Sequence, residues 1–387
     1  MEEKKTKSEY RIGPFALAMA LVGNIVGVSF STGREAMTFF VDFGSVSLLG
    51  MGLSYLFIFT FGYMAFATAR NMNKYTFDWV MAPRGIKPIR ILLVILTLII
   101  LVSSLSAMYA GTGVLLQSIF GVPFIVGALF MVVASLLTVA FSMQRFTNTL
   151  SLMVPIMVVL ALVICVICAI WPSQVGSGWH SVSSDNPMLK NWWVSSLVYF
   201  GMQTGAVVQM IVPMSPKISG KKAAILGNAV AGGIVYALAM VLAIAIVRNY
   251  SIASVAEIPI IELAMSKAGV LGILYCVVAI LAIYSTTAAF LLIVKSSLAS
   301  MKTLGSSPKK LIGVLTLYSL LALAVSFIGF SNIVDRMFVI NGTIAFSGII
   351  GLAFNFFYYR KHPQSKDSTV DNIELSLEHS EEAQAGL

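Results

Sequence analysis

The chain has 387 residues, 58% of them hydrophobic and only 11% charged, with a formal net charge of +9. A soluble domain of this length needs far more charge to cover its surface, so a water-soluble enzyme or binding module is excluded. Apolar runs of about 20 residues, each able to cross a hydrocarbon core of roughly 30 Å, recur along the chain and mark an all-α membrane protein. A transmembrane barrel would instead alternate apolar and polar residues.

Residues 1–12 form a charged segment without a small-residue cleavage signature, expected to be a cytoplasmic tail rather than a signal peptide. Ten transmembrane helices are predicted, over 13–40, 44–69, 90–119, 122–141, 149–171, 191–214, 223–247, 269–298, 311–330 and 336–359. The first five make one unit, 13–171, and the last five another, 191–359. A loop at 172–190, rich in Ser, Gly and Trp, joins them on the external side. Residues 360–387 are a second cytoplasmic tail, acidic and without aromatics beyond its start, expected to be disordered. Two further connections carry structure of their own. Residues 70–89 hold Phe77, Trp79 and Val80 among basic residues and are expected to lie as an interfacial helix. Residues 251–268 are too polar to span but keep a helical apolar pattern, which predicts an external lid helix.

Most of the 25 Lys and Arg fall in the connections on one side, from Lys4–Arg11 through Arg70–Arg90, Arg145, Lys217–Lys222 and Lys295–Lys310 to Arg360–Lys366. By the positive-inside rule both termini are cytoplasmic, in the cell (inner) membrane, and the net charge needs no nucleic-acid partner. Cys165, Cys168 and Cys276 all sit in apolar spans and read as packing residues. His180, His362 and His379 fall in loops or tail, so no His-based catalytic set lies in the membrane, and no phosphate-binding G-x-x-x-x-G-K-[ST] loop occurs. The chain reads as a non-enzyme without a cofactor.

The first and sixth spans are interrupted in matching places. Span one carries Gly23, Asn24 and Gly27 at its middle, and span six carries Gly201, Gln203, Thr204 and Gly205. Clustered glycine weakens a helix interior by about 1 kcal/mol per residue and marks either a break or a close helix contact. Because the two clusters open the two five-helix halves, they predict broken helices 1 and 6 in 5+5 inverted repeats. A break frees backbone groups at mid-membrane for an ion and a polar solute. The candidate solute contacts are therefore Asn24, Ile25, Gly27 and Val28 in span one, Gly201, Gln203, Thr204 and Gly205 in span six, and Tyr109 in span three. Arg34 and Glu35 lie in the outer half of span one, where each must face the bundle interior rather than lipid. They point about 100° apart, so Asp335 at the outer end of span ten is the better partner for Arg34, and the three form a candidate gate.

The motif Gly23-Asn24-Ile25-Val26-Gly27 resembles the unwound segment of LeuT-fold sodium symporters of the amino acid–polyamine–organocation superfamily. The stretch Val22–Phe40, and Met108–Gly113 in span three, resemble the bacterial YkvI-like membrane proteins more closely. The resemblance implies a LeuT-like fold and secondary active transport by alternating access, as sodium-coupled symport of a small organic solute such as an amino acid. It also implies a sodium site made by carbonyls of Gly23 and Val26 with Ala282, Ser285 and Thr286, whose i, i+3, i+4 spacing puts the last three on one helix face. A proton-coupled transporter using Glu35 and a non-transporting receptor or sensor stand as alternatives.

Overall fold

The computed structural model describes residues 11–26, 32–140, 153–172, 186–299 and 307–363, and these are nearly all helical. In chain order the helices are α1 (Pro14–Ile25), α2 (Arg34–Phe39), α3 (Ser47–Met72), α4 (Phe77–Met81), α5 (Lys87–Phe120), α6 (Phe124–Ala140) and α7 (Met153–Ile170). They continue with α8 (Trp192–Met214), α9 (Lys221–Arg248), α10 (Tyr250–Ala253), α11 (Pro259–Lys267), α12 (Gly269–Ala299), α13 (Pro308–Ser326) and α14 (Phe330–Lys361). Among the described residues, seven helices are long and apolar enough to cross a membrane, namely α3, α5, α8, α9, α12, α13 and α14. Shorter apolar helices occur at Pro14–Ile25, Phe124–Ala140 and Val158–Ile170.

Two groups of helices form the body. In one, α3 packs on α8 and α9, and α1 packs chiefly on α9; in the other, α5 packs on α6, α12 and α13. The α7 helix touches α9 and α12, bridging the groups, while α14 lies on α8 and α3. Just before α1, the backbone of Ile12 forms a parallel bridge to the turn between α8 and α9. Its N–H donates to the Lys217 carbonyl at 2.8 Å, and its own carbonyl accepts from the Ser219 N–H at 3.0 Å.

The described residues of span one form two helical pieces. Its first piece starts with Pro14, whose missing N–H costs nothing in a first turn, and ends at Ile25. Its second starts after Gly33, which takes φ +83°, a left-handed conformation open to glycine. A Cβ there would also sit 3.3 Å from Ile246 and Ile260.

The expected break in span six is not present, because α8 is continuous through Gly201–Gly205. The glycine serves a helix crossing instead. A Cβ on Gly201 would lie 2.4 Å from the Gly342 carbonyl oxygen, and one on Gly342 would lie 2.3 Å from the Val198 carbonyl oxygen. Two backbones in such contact exclude any side chain between them, which is the small-residue packing known from membrane helices.

The segment expected to lie as an interfacial helix is also different. Val80, Met81 and Ala82 are buried, and α4 is wedged under α14. The basic residues around it do not only face the surface, since two of them lie on an aromatic ring. Trp79 stacks between the Lys74 ammonium, 5.3 Å from its ring, and the Arg90 guanidinium, 3.7 Å away. The 251–268 connection does contain a helix, α11, whose Ile260, Ile261, Leu263 and Ala264 are buried. The acidic tail expected to be disordered lies, from residue 364, outside the described residues.

Candidate functional site

A cavity of about 820 Å³ lies between α1 and α8 on one side and α5, α12 and α14 on the other. Its lining takes in the buried Glu35 as well as Phe77 and the exposed Ala16. Gly23, Asn24 and Ile25, the last turn of α1, form one wall. Ser285 and Thr286 of α12 line it as well, so three of the five residues singled out for a cation, with Gly23, face the same space, while Val26 and Ala282 are buried and do not line it. Both hydroxyls donate back to the Ala282 carbonyl, at 2.9 and 3.0 Å, leaving their lone pairs available to a ligand. Val26 caps α1, donating its N–H to the Val22 carbonyl at 2.8 Å.

The wall around Glu35 is built on a buried polar chain. Glu35, 4% exposed, accepts a hydrogen bond from the Gln203 amide at 3.0 Å. The same amide lies 3.4 Å from the Tyr199 hydroxyl, which is 2.8 Å from that of Tyr55. The Tyr199 ring is held by Phe39 and Phe40, with centroids 5.3 and 4.8 Å away. A carboxyl group in this setting is tolerable only because amide and hydroxyl dipoles replace water around it.

Arg34, one residue earlier, turns the other way. Its Nε donates to Asp335 Oδ1 at 3.1 Å and a terminal N–H to Oδ2, a two-pronged pair. The Thr38 hydroxyl lies 2.5 Å from the same Oδ1, and Asn186 donates its amide to the Asp335 carbonyl at 2.6 Å. Asp335 sits in a π turn, Ile333–Met337, which interrupts the regular ladder of α14. Over this point lies α11, whose Ile260 N–H donates to the Thr32 carbonyl at 3.1 Å. A second cavity of about 670 Å³ at this end is lined by Gln117, Glu257, Glu262 and Phe327.

Not every residue singled out from sequence reaches the cavity. Gln203 and Gly205 line it, but Gly201 is taken up by the α14 crossing and Thr204 points into protein, buried. Tyr109 is fully buried off the cavity, and its neighbour Met108 lines it instead. The 100° step between adjacent helical residues decides which of the two faces the space. Gly27 and Val28 lie outside the described residues.

Four polar lining residues had not been singled out: Thr97 and Ser104 on α5, Gln209 on α8 and Asn341 on α14. Thr97, Ser104 and Met108 recur on one face of an otherwise apolar helix, a periodic signal that could have found them. Asn341 is held in place by its amide, which donates to the Ser103 hydroxyl at 2.5 Å. Among the described residues no three His, Cys, Asp or Glu come together as metal ligands, so any cation here would meet mainly neutral oxygens.

No family model matches the chain. A curated relative, the "Uncharacterized membrane protein YkvI" of Bacillus subtilis (strain 168), is 23% identical over 208 residues, 53% of this chain and 58% of that protein. Among solved structures, the inward facing conformation of Mhp1 is similar with a TM-score of 0.62 and 16% identity, covering 91% of this chain and 80% of that one. Mhp1, a nucleobase-cation-symport-1 family transporter, is also similar in a closed conformation with bromovinylhydantoin bound, with a TM-score of 0.53 at 15% identity over 90% and 73% of the two chains. A Na+-coupled sialic acid symporter in its substrate-bound outward-open state gives 0.56 at 12% identity over 92% and 81%. The chain has the LeuT fold of these proteins, which are membrane transporters rather than enzymes.

Proposed function

We propose that this chain is a secondary transporter that carries a small organic solute by alternating access, with sodium as the coupling ion. The observation that carries this reading is one cavity whose lining takes in the end of α1, Ser285 and Thr286 of α12 and the buried Glu35. Such an arrangement suits a transporter that binds its solute between the two halves at mid-membrane. In this reading α1 and α2 together, with α3 and α5 to α9 and α12 to α14, make ten crossings as two inverted halves of five. Both termini are cytoplasmic. The carbonyls of Gly23, Val26 and Ala282 with the hydroxyls of Ser285 and Thr286 would hold sodium once α1 closes toward α12. Neutral oxygens favour a monovalent ion over a divalent one, whose dehydration costs far more. Arg34, Asp335 and α11 form the outer gate.

The test is uptake into proteoliposomes of the purified chain, from a metabolite mixture, with and without an inward sodium gradient. Solute accumulation that sodium stimulates supports the reading; a bound solute with no flux under any gradient would favour a receptor.

A second reading rests on Glu35, a buried carboxyl group that lines the cavity. Here the driving ion is the proton and Glu35 carries it. Uptake that ignores sodium, follows a pH gradient and loses that response in Glu35→Gln would establish this reading in place of the first.

A further inference from the structure

Outside the cavity, the turn after α4 holds a residue in an unusual conformation. Arg84 has φ +52°, a left-handed backbone in a residue other than glycine. Asn355 of α14 fixes it there. Its side-chain oxygen accepts the Arg84 N–H at 2.8 Å, and its amide donates to the carbonyls of Val80 at 2.9 Å and Ala82 at 2.8 Å. Asn355 is fully buried, and the backbone of Met81 comes so near Gly351 that a Cβ there would be 1.9 Å from the Met81 oxygen. A strained residue held by so many contacts persists because the surroundings over-determine it, and such residues concentrate at functional points.

The conformation lays the Arg84 guanidinium over two aromatic faces. It lies 4.7 Å from the Tyr358 ring centre and 5.6 Å from that of Phe354. The platform continues along α14, with Phe354 parallel to Tyr358 within 9° and Tyr358 stacked on His362 at 5.0 Å. A guanidinium resting on a ring keeps its edge N–H groups outward, in the fork that matches a phosphate. Arg84 is exposed, as are Lys87, Arg360 and Lys361 close by in sequence to these contacts. Among the described residues none of these four is within ion-pair distance of a carboxylate. Running away from this cationic end along one face of α14 are Ile350, Phe354 and Phe357, which are 66%, 44% and 62% exposed.

We propose that Arg84, with Lys87, Arg360 and Lys361, binds the headgroup phosphate of an anionic phospholipid whose acyl chains lie along Ile350, Phe354 and Phe357. The charge complementarity selects an anionic lipid over a zwitterionic one, and the apolar face below the cations selects a lipid over a soluble phosphate. The site also bears on transport. Phe77 and Met81, on the segment that Asn355 and Gly351 clamp, line the main cavity, so a headgroup on Arg84 braces that wall.

The experiment is a thermal-unfolding titration of the full chain in nanodiscs, comparing phosphatidylcholine alone with rising fractions of phosphatidylglycerol. Phosphatidylglycerol is expected to raise the unfolding temperature saturably, and added salt to weaken the effect. Arg84→Gln should weaken the apparent affinity for phosphatidylglycerol about fivefold and Lys361→Gln by a smaller factor, the scale of one basic residue at an anionic surface. Because Arg84→Gln also loses its ring contacts, the readout is the shift between the two lipids for each variant. Lys361→Gln, fully on the surface, provides a variant that folds as the parent does. Equal unfolding temperatures in the two lipids would overturn the site, as would a shift that neither variant reduces. Millimolar inorganic phosphate reproducing the shift would make it a site for free phosphate. Should the acidic segment after residue 363 occupy these cations instead, Arg84→Gln would act in phosphatidylcholine and phosphatidylglycerol would add nothing.

Discussion

Two stretches with a glycine at each end and a carboxamide between, Gly23–Gly27 and Gly201–Gly205, open the two halves of the sequence and meet opposite fates. The first closes α1 beside the cavity, and the second stays helical inside α8. Composition is nearly the same in both. Both reach the same cavity, the second through Gln203 and Gly205; what differs is that the backbone of α14 lies within contact of Gly201. A glycine cluster in an apolar helix therefore gives permission for two outcomes, and the neighbouring helix selects between them.

The sharpest way to break this comparison is at the crossing. Gly342→Val places branched carbons where Val198 backbone already sits, and no folded protein is expected from purification in detergent. Gly201→Ala should cost about 1–3 kcal/mol as overpacking, seen as a lowered unfolding temperature. Gly205→Ala, whose new Cβ would make an ordinary 3.4 Å contact with Ala345, should change stability by less than about 0.5 kcal/mol. Equal behaviour of the two alanine variants would show that the crossing does not explain the unbroken helix.

The outer closure comes next in size. Arg34→Asp and Asp335→Arg should each lower uptake by about tenfold or more, and the double swap should recover part of it, a coupling of about 0.5–3 kcal/mol. A double variant no better than the worse single would mean that the residues act separately despite their contact. At the other side of the comparison, Ser285→Ala with Thr286→Ala removes two hydroxyls facing the end of α1 while keeping the helix. Sodium stimulation should weaken by about tenfold, the scale of one or two lost polar contacts. Solute binding at saturating sodium should fall less. The smallest effect is expected at Ser104→Ala, on the cavity wall contributed by α5, where the half-saturating solute concentration should rise by about threefold with the maximal rate kept.

The helices themselves were legible because apolar length and turn residues are local properties. So was the Arg34–Asp335 contact, since a single cation and a single anion at one membrane level have few other places to go. Features that depend on a facing element were not legible. Tyr109 rather than Met108 looked chemically apt, yet the direction of the cavity around α5 is set by α8, α12 and α14. Phe77, Trp79 and Val80 looked like the apolar face of a surface helix, and only Gly351 and Asn355, some 270 positions later, show that Val80, with Met81 and Ala82, is buried. Thr97, Ser104, Gln209 and Asn341 are ordinary residues until a cavity gives them a common address.

The parallel bridge at Ile12 has a consequence for how such a chain tolerates change over time. It joins the start of α1 to the turn after α8 through two main-chain hydrogen bonds, Ile12 to Lys217 and Ser219 to Ile12. Main-chain donors and acceptors are the same in every residue type but one, so side chains at 12, 217 and 219 can drift while the stitch survives. The start of α1 is thereby tied to the turn between α8 and α9, whatever the local spelling. Only proline, at position 12 or at position 219, removes a donor and unpicks it.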